Sequence, residues 1–154
     1  MSNFHTLVDA IIKSEMNGLP MHEQVLEIGK TPSILIDEAG FPDIELAVNA
    51  KVISKMCFDH GLPTSMLKRL PEIINDPKSL FLSANPHQTD SVVVMTFEVK
   101  GSYPIIIPIQ KNRKVGRNKI YNLVTSGYAK EGNNPDKKWR DKGLLIWEKP
   151  LTST

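Results

Sequence analysis

Cysteine and long apolar runs are what this chain of 154 residues has least of. Cys57 is alone, which excludes an intramolecular disulfide framework and a cysteine-rich zinc site and predicts a reducing, cytoplasmic setting. No apolar run approaches the roughly 20 residues that span a bilayer. The first residues, MSNFHTLVDAIIKSEMNG, lack a cationic start followed by an apolar block. We therefore expect neither a membrane segment nor a signal peptide.

Clusters of potential metal ligands are also missing. Asp37, Glu38, Asp43 and Glu45 have no histidine near them in the sequence, and the glycines form no loop that would cradle a phosphate. The sequence therefore predicts no metal site and no cofactor.

The charges of the two signs are segregated along the chain. Residues 1–99 contain 7 Lys and Arg against 13 Asp and Glu, and residues 100–154 contain 12 against 4. The two balances, −6 and +8, sum to the net charge of +2. Such asymmetry indicates a basic face that meets a polyanion. A solvated surface without a partner is the alternative.

The apolar pattern changes from helical to strand-like along the chain. Apolar side chains at helical spacing predict one helix over residues 3–16 and another from Asn49 to His60-Gly61. Four strands are predicted at 91–100, 103–110, 119–130 and 144–148, with shorter strand-like segments at 44–48 and 79–84. This order predicts an α+β fold in which N-terminal helices pack on a C-terminal antiparallel sheet of about four strands.

The length suits one globular unit, because two halves would each bury too little surface. We expect residues 1–28 to form an N-terminal helical extension and residues 29–154 to form the main domain.

One stretch combines cations with side chains that can carry protons. Cations suit phosphates, and a hydroxyl, a phenol and an amine can bind or move protons at a phosphodiester. The stretch contains Lys111, Arg113, Lys114 and Arg117, followed by Ser126, Tyr128 and Lys130. A soluble hairpin loop and an ordinary solvent-facing strand are the alternatives that fit the same residues.

His60 closes the second predicted helix. An imidazolium at a helix C-terminus is favoured by the helix dipole, and Gly61 supplies the left-handed cap. A structural role therefore explains His60 as well as a chemical one does, when this position is taken alone.

Six segments, taken in order, resemble a known family between about Gly29 and Glu148. They are GKTPSIL, VISKMCFDHGLP, RLPEIINDPKSLFLS, SVVVMTFEVKGSYPIIIPI, NLVTSGYAK and GLLIWEKP. Together they are similar to the phage-associated nucleases of the barnase, EndoU, colicin and RelE-like (BECR) group, which occur as C-terminal toxin domains of phage MuF proteins. The resemblance implies a barnase/RelE-like fold and metal-independent cleavage of RNA.

The resemblance also implies residue roles. His60 falls at the family's histidine before a Leu-Pro segment, and Ser126 falls at its Ser or Thr in the penultimate strand, with Tyr128 and Lys130 following at spacing two. His60, Ser126, Tyr128 and Lys130 are thus the implied catalytic residues. The implied substrate contacts are Lys55, Lys111, Arg113, Lys114, Arg117 and Thr125.

Two departures from the family pattern concern this strand. Thr125 beside Ser126 leaves the hydroxyl position ambiguous by one residue. Gly127 is unusual inside a strand, and a bulge there would turn Tyr128 aside.

The function that the resemblance implies is an endoribonuclease of toxin type that cleaves tRNA or mRNA in the cytoplasm of the producing or the target cell. RNA supplies its own nucleophile, the 2′-hydroxyl, so such an enzyme positions and assists it. An acidic immunity or antitoxin protein is the expected partner. The alternative is a non-catalytic nucleic-acid-binding or phage-assembly interaction domain of the same fold.

Overall fold

The computed structural model describes residues 3–151 as helices that pack on a twisted sheet. The helices are α1 (Phe4–Met16), α2 (Ser33–Ala39), α3 (Ala50–Ser54), α4 (Thr64–Lys68), α5 (Leu70–Asn75) and α6 (Pro135–Asp141), and α3 continues into a π-helical turn (Lys55–Asp59). The strands are β1 (Val25–Lys30), β2 (Glu45–Asn49), β3 (Ser79–Leu82), β4 (Ser91–Lys100), β5 (Tyr103–Val115), β6 (Lys119–Val124), β7 (Tyr128–Ala129) and β8 (Leu145–Glu148).

The strands form one mixed sheet in the order β1-β2-β6-β5-β4-β3-β8, and β7 pairs with β5 beyond the end of β6. Strands β2 and β6 are parallel, and the other neighbours are antiparallel. The α+β class that the sequence predicts is confirmed.

The core lies mainly on one face of this sheet. Helices α1 to α5 turn apolar side chains such as Phe4, Ile11 and Ile53 onto that face, where they meet Ile107 of β5. The opposite face carries a smaller cluster in which Trp139 of α6 packs edge-on against Phe81, with 5.3 Å between ring centroids. The helix predicted over residues 3–16 is therefore a core element, because its apolar stripe is buried against the sheet.

The prediction of about four antiparallel strands is wrong. Within residues 3–151 the sheet has eight strands, and one pair is parallel. Strand β1 cannot be recognised in the sequence, because too few of its apolar and polar residues alternate. Its pairing with β2 shifts in register between Glu27 and Gly29, and Gly29 has a φ of 139°. The parallel pair joins Leu46 to Asn122, and no local pattern reveals a partner so distant along the chain.

The single strand predicted over residues 119–130 is also wrong, because it is interrupted at 125–127. Val124 lies opposite Ile109 and Tyr128 lies opposite Ile106. The segment from β6 to β7 therefore advances four residues where β5 advances three. Pro108 faces this interruption and has no N–H to complete the ladder. The extra residue gives the interruption around Gly127 the form of a bulge.

The hairpin of β5 and β6 is longer than the sequence predicts. Strand β5 continues past the predicted end at residue 110, because Asn112 takes a φ of 51° and forms a bulge, after which pairing resumes. The backbone N–H of Asn112 donates to Oδ1 of Asn122 at 3.3 Å. Most of the predicted cationic loop is consequently strand, and the turn lies at Gly116.

Residues 3–28 are packed against the remainder. Strand β1 crosses residue 28 and pairs with β2, while the buried side chains of α1 belong to the main core. The division into an extension at 1–28 and a domain at 29–154 remains a prediction about separate roles. None of the helices within residues 3–151 combines the length and the apolar character needed to cross a membrane.

Candidate functional site

His60 is placed by the end of the helical segment that starts at Ala50. Its backbone N–H donates to the Lys55 carbonyl at 3.0 Å, which closes the π-helical turn. Gly61 follows with a φ of 65°, a conformation that suits glycine and stops the helix. The imidazole is left partly exposed at the end of the sheet where β4 turns into β5.

The structure brings His60 and Tyr128 together. Their ring centroids are 5.6 Å apart and the rings are tilted by 39°. Tyr128 belongs to β7, which pairs only with β5 among residues 3–151, so a side chain from the helical layer can reach it around the sheet edge.

Gly127 permits this approach. A Cβ atom at Gly127 would lie 2.5 Å from Sδ of Met56, a side chain of the π-helical turn that precedes His60. The bulge in the strand therefore does not separate Tyr128 from His60. It gives the π-helical turn room to pack against the strand, so that both rings reach the same place.

A cavity of about 580 Å³ opens at this point. Lys100 lines this cavity, and its ammonium group donates a hydrogen bond to the His60 carbonyl at 3.0 Å. A phenol, an imidazole and an ammonium thus share one cavity, with carboxylates at Asp59 and Glu131. The cavity is lined by Asp59, His60, Lys100, Gly101, Ser102, Tyr103, Tyr128, Ala129 and Glu131. We call it the His60 cavity.

Sequence reasoning missed Lys100 and Tyr103. Both flank the Gly101-Ser102 turn between β4 and β5, a hairpin that the sequence pattern identifies as part of the fold and not of a site. A cation and an aromatic residue on either side of a tight turn were the available signal, because turn side chains are exposed and close together.

Ser126, Thr125 and Lys130 are not among the residues that line the His60 cavity. Ser126 and Thr125 are half-buried in the interrupted segment, and the Thr125 hydroxyl donates to the Pro108 carbonyl at 3.3 Å. Lys130 is held by its backbone N–H, which donates to the Pro104 carbonyl at 2.8 Å. Of Ser126, Tyr128 and Lys130, which the sequence places on one strand face, Tyr128 alone lines the His60 cavity.

The predicted cations lie at the far end of β5. Eight residues separate Ile106, opposite Tyr128, from Lys114, which corresponds to about 25 Å at roughly 3.3 Å per residue. The ammonium group of Lys111 sits over the Phe41 ring, 5.3 Å from its centroid, and Arg113 donates to Gln110 at 2.5 Å. We call the group Lys111, Arg113, Lys114 and Arg117 the cationic hairpin.

No carboxylate of residues 3–151 lies within 4 Å of the charged atoms of the cationic hairpin. By contrast, Arg140 of α6 is paired with Asp136 and Glu148. The Glu148 carboxylate, followed by Asp136, raises the pKa of Arg140, and Arg140 holds the pKa of Glu148 below its ordinary value. The pair with Glu148 attaches α6 to β8 and the pair with Asp136 lies within α6, so the Arg140 cation is already engaged within the fold.

Lys55 lines a different cavity, of about 330 Å³, between α1 and the helical segment that leads to His60. Asp59 forms part of the wall of both cavities, so they adjoin one another. Across the part of the chain that the structure describes, no group of three or more His, Cys, Asp or Glu side chains is arranged to hold a metal ion.

Comparison with known families gives one match. The family model of the phage MuF-C-terminal domain matches residues 51–150. The matched segment begins in α3 and ends after β8, so it includes the π-helical turn, His60, the cationic hairpin and Tyr128. No curated protein and no solved structure matches the chain.

Proposed function

The chain belongs to the phage MuF C-terminal domain family, and we propose that it acts as a metal-independent endoribonuclease of toxin type. One observation carries this proposal: His60, Tyr128 and Lys100 meet around a single open cavity, with the imidazole and phenol rings 5.6 Å apart. Proton-bearing groups beside a fixed cation are what transesterification of RNA requires.

In the proposed reaction the 2′-hydroxyl of RNA attacks the adjacent phosphorus, and the bond from phosphorus to the 5′-oxygen breaks. One protein group accepts the proton of the 2′-hydroxyl, and another gives a proton to the departing 5′-oxygen, which leaves a 2′,3′-cyclic phosphate. His60 is one of these groups, since an imidazole exchanges protons near neutral pH. Tyr128 either supplies the second proton or stacks on a base.

Lys100 stabilises the negative charge that develops on the five-coordinate phosphorus (the phosphorane) during this reaction. Its ammonium group has three donors, and one is used on the His60 carbonyl at 3.0 Å. The remaining donors are available to a phosphate oxygen, so in this proposal Lys100 stands in place of Lys130, one of the catalytic residues that the resemblance implies. The cationic hairpin then holds a more distant part of the same RNA strand through its phosphates.

The barnase/RelE-like fold and the acidic partner belong to the same proposal. Helices on one face of a sheet with antiparallel central strands support the fold assignment. The unpaired charges of the cationic hairpin support an acidic immunity or antitoxin protein, since carboxylates at its surface would occupy the cations that RNA needs. Such a partner would protect tRNA or mRNA in the cytoplasm of the producing cell.

The test is cleavage of total RNA in EDTA by the wild type, His60→Gln and His87→Gln. His87 is an exposed histidine in the loop before β4, so it controls for loss of an imidazole at the surface. We expect His60→Gln to lose about 100-fold or more of the activity, since general acid–base assistance contributes about 10²–10⁴-fold. Full activity of His60→Gln, or activity that EDTA abolishes, would contradict the proposal.

A second candidate is a non-catalytic nucleic-acid-binding or phage-assembly interaction domain. The observation that favours it is the position of the cationic hairpin, which begins five positions along β5 from Ile106, the residue opposite Tyr128. Cations that only bind RNA need no catalytic group beside them. This candidate predicts RNA binding that weakens with salt, together with intact RNA in the cleavage assay.

A further inference from the structure

The cavity beside the His60 cavity has features that the proposed reaction does not use. It lies between the end of α1 and the helical segment from α3 to the π-helical turn, and it has a volume of about 330 Å³. Its lining residues are Glu15, His22, Lys51, Ser54, Lys55, Phe58 and Asp59. We call it the Lys51 cavity. Asp59 belongs to the walls of both cavities, so the Lys51 cavity adjoins the His60 cavity.

The charge of the Lys51 cavity suits a phosphate. Lys51 and Lys55 lie four residues apart on one helical segment, and neither ammonium group has a carboxylate of residues 3–151 within 4 Å. Like charges at this spacing repel each other within a helix. A bound anion between them would remove that repulsion.

The carboxylates of the cavity indicate that its ligand is more than a bare anion. Glu15 accepts a hydrogen bond from His22 at 2.7 Å, and this bond holds the pKa of Glu15 below its ordinary value. Asp59 has no Lys, Arg or His partner within 4 Å among the described residues. It is therefore available to accept a hydrogen bond from a ribose hydroxyl or a base amino group.

Ser54 places a hydroxyl group in the wall of the Lys51 cavity. Ser54 is buried, lies beside Glu15, and adds to the effect of His22 in lowering the pKa of the Glu15 carboxyl. A hydroxyl group rotates to suit its neighbours, so Ser54 can turn from Glu15 to a polar atom that enters the cavity.

Phe58 supplies an apolar surface at the mouth of the cavity. Its ring is 48% exposed although it projects from a helical segment that packs on the core. An exposed aromatic ring beside lysines is the combination on which single-stranded nucleic acids stack. Phe58 belongs to the π-helical turn, a type of turn that is frequent at functional sites.

We propose that the Lys51 cavity binds the nucleotide of a single-stranded RNA next to the one held in the His60 cavity. Lys51 and Lys55 contact its phosphate, Ser54 donates to an oxygen atom, and the base stacks on Phe58. The identity of the ligand as RNA rests on the proposed function. The cavity thus extends the substrate site beyond the reacting groups and selects an unpaired strand, because a base in a duplex is already stacked on its neighbours.

The test measures binding of a fluorescent single-stranded RNA of about 12 nucleotides, a length within the range of known single-strand sites. All variants carry His60→Gln, which keeps the RNA intact. The double variant Lys51→Ala/Lys55→Ala is compared with Lys13→Ala/Lys138→Ala, which removes the same charge at exposed positions outside both cavities. We expect the cavity variant to bind at least tenfold more weakly, and the control to change less than twofold.

The salt dependence gives a second measure. Loss of the contacts to this one phosphate should reduce the slope of log K against log salt by about 0.7, the value per phosphate for single strands. Phe58→Leu should weaken binding about fivefold or more by removing a stacking surface, whereas Phe97→Leu on β4, another exposed ring, should not. The melting temperature of Lys51→Ala/Lys55→Ala should stay constant or rise, since a repulsive pair is removed.

Equal losses in the cavity variant and its charge-matched control would reduce the effect to general electrostatics and overturn the proposal. The result is separable from the fate of the endoribonuclease. RNA that binds through the Lys51 cavity but is left uncut by the wild type supports the cavity and contradicts the enzyme. RNA that is cut by the wild type but bound normally by the cavity variant supports the enzyme and contradicts the role of the Lys51 cavity.

Discussion

The two ends of strand β5 differ in how their charges are arranged. At the start of β5, Lys100 and His60 share a cavity with the carboxylates Asp59 and Glu131, and each group is fixed by a helix end or a turn. At the other end, the cationic hairpin contains no carboxylate partner within 4 Å among residues 3–151. A mixed, positioned set of groups suits proton transfer, whereas an unpaired set of one sign suits attachment to a polyanion.

In the proposed function, this difference places RNA binding and RNA cleavage at opposite ends of one strand. The sequence placed both tasks in a single stretch from Lys111 to Lys130, and the fold draws that stretch out along a long hairpin. Each end can therefore be changed without disturbing the other, and the following experiments use that independence.

The largest effect is expected for the variant Lys114→Glu/Arg117→Glu. Two reversed charges at the exposed hairpin should weaken RNA binding by about 10- to 100-fold at low salt, because phosphate contacts there are replaced by repulsion. The cleavage rate at saturating RNA should remain within about threefold of the wild type, because the proposed catalytic groups lie at the other end of β5. Titration of RNA at two salt concentrations with single-turnover cleavage checks both parts.

The control for this variant is Lys138→Glu/Lys142→Glu, which reverses two charges in and just after α6. A fall in the saturated cleavage rate that matches the fall in binding would show that the two ends are coupled, which contradicts the separation.

An intermediate effect is expected for Gly127→Ala, which tests how the His60 end is held together. The new methyl group would lie 2.5 Å from Sδ of Met56, so Met56 must shift, and we expect a loss of about 1–3 kcal/mol in the free energy of unfolding. Urea denaturation measures it. Cleavage should fall as well, since the π-helical turn carries His60, while binding by the cationic hairpin should persist.

The double variant Met56→Ala/Gly127→Ala completes this cycle. It should be less destabilised than the sum of its two single variants, because the shortened side chain relieves the contact. Strict additivity would mean that Met56 and Gly127 do not oppose each other, and the packing argument for Gly127 would then fail.

The smallest effect concerns the ion pairs of α6, which belong to neither end of β5. The pKa of Glu148 is lowered below its ordinary value of 4.5 by Arg140, so its contribution to stability is present above pH 4.5 and is lost as the pH falls through the lowered value. Glu148→Gln should lower the melting temperature by no more than about 2 °C at pH 7, because the pair is exposed. At pH 3 the difference from the wild type should shrink.

Glu38→Gln is the matched control for that measurement, since Glu38 is exposed and forms no ion pair with the described residues. A difference between Glu148→Gln and the wild type that grows toward acid would have the wrong sign for a carboxylate with a lowered pKa.

The sequence predicted the parts of this fold that depend on local periodicity. The helical stripe from Phe4 to Ile12, the helix that ends at Gly61 and the arms of β4 and β5 all follow from side-chain spacing. It did not reveal β1 or the parallel pairing of β2 with β6, because these depend on a bulge and on contacts between distant segments.

The same limit applies to the candidate site. His60 and Tyr128 were selected by their chemistry and by a family resemblance, and the structure places their rings side by side. The sequence did not show that the cationic hairpin lies apart from Tyr128. The bulge at Asn112 lets β5 continue beyond residue 110, where the sequence pattern predicts its end. Lys100 was missed because it reaches the candidate site only through the fold. Its ammonium group contacts the carbonyl of His60, which lies 40 residues earlier in the chain.

The distance along the chain between His60 and Tyr128 has a consequence for synthesis. A nascent polypeptide contains the imidazole long before the phenol, and at about 5–20 residues per second the ribosome takes roughly 3–14 s to add the residues between them. Strand β6, which joins β2 to the rest of the sheet, is also added long after His60. The chain being translated therefore has no assembled His60 cavity until Tyr128 has been added.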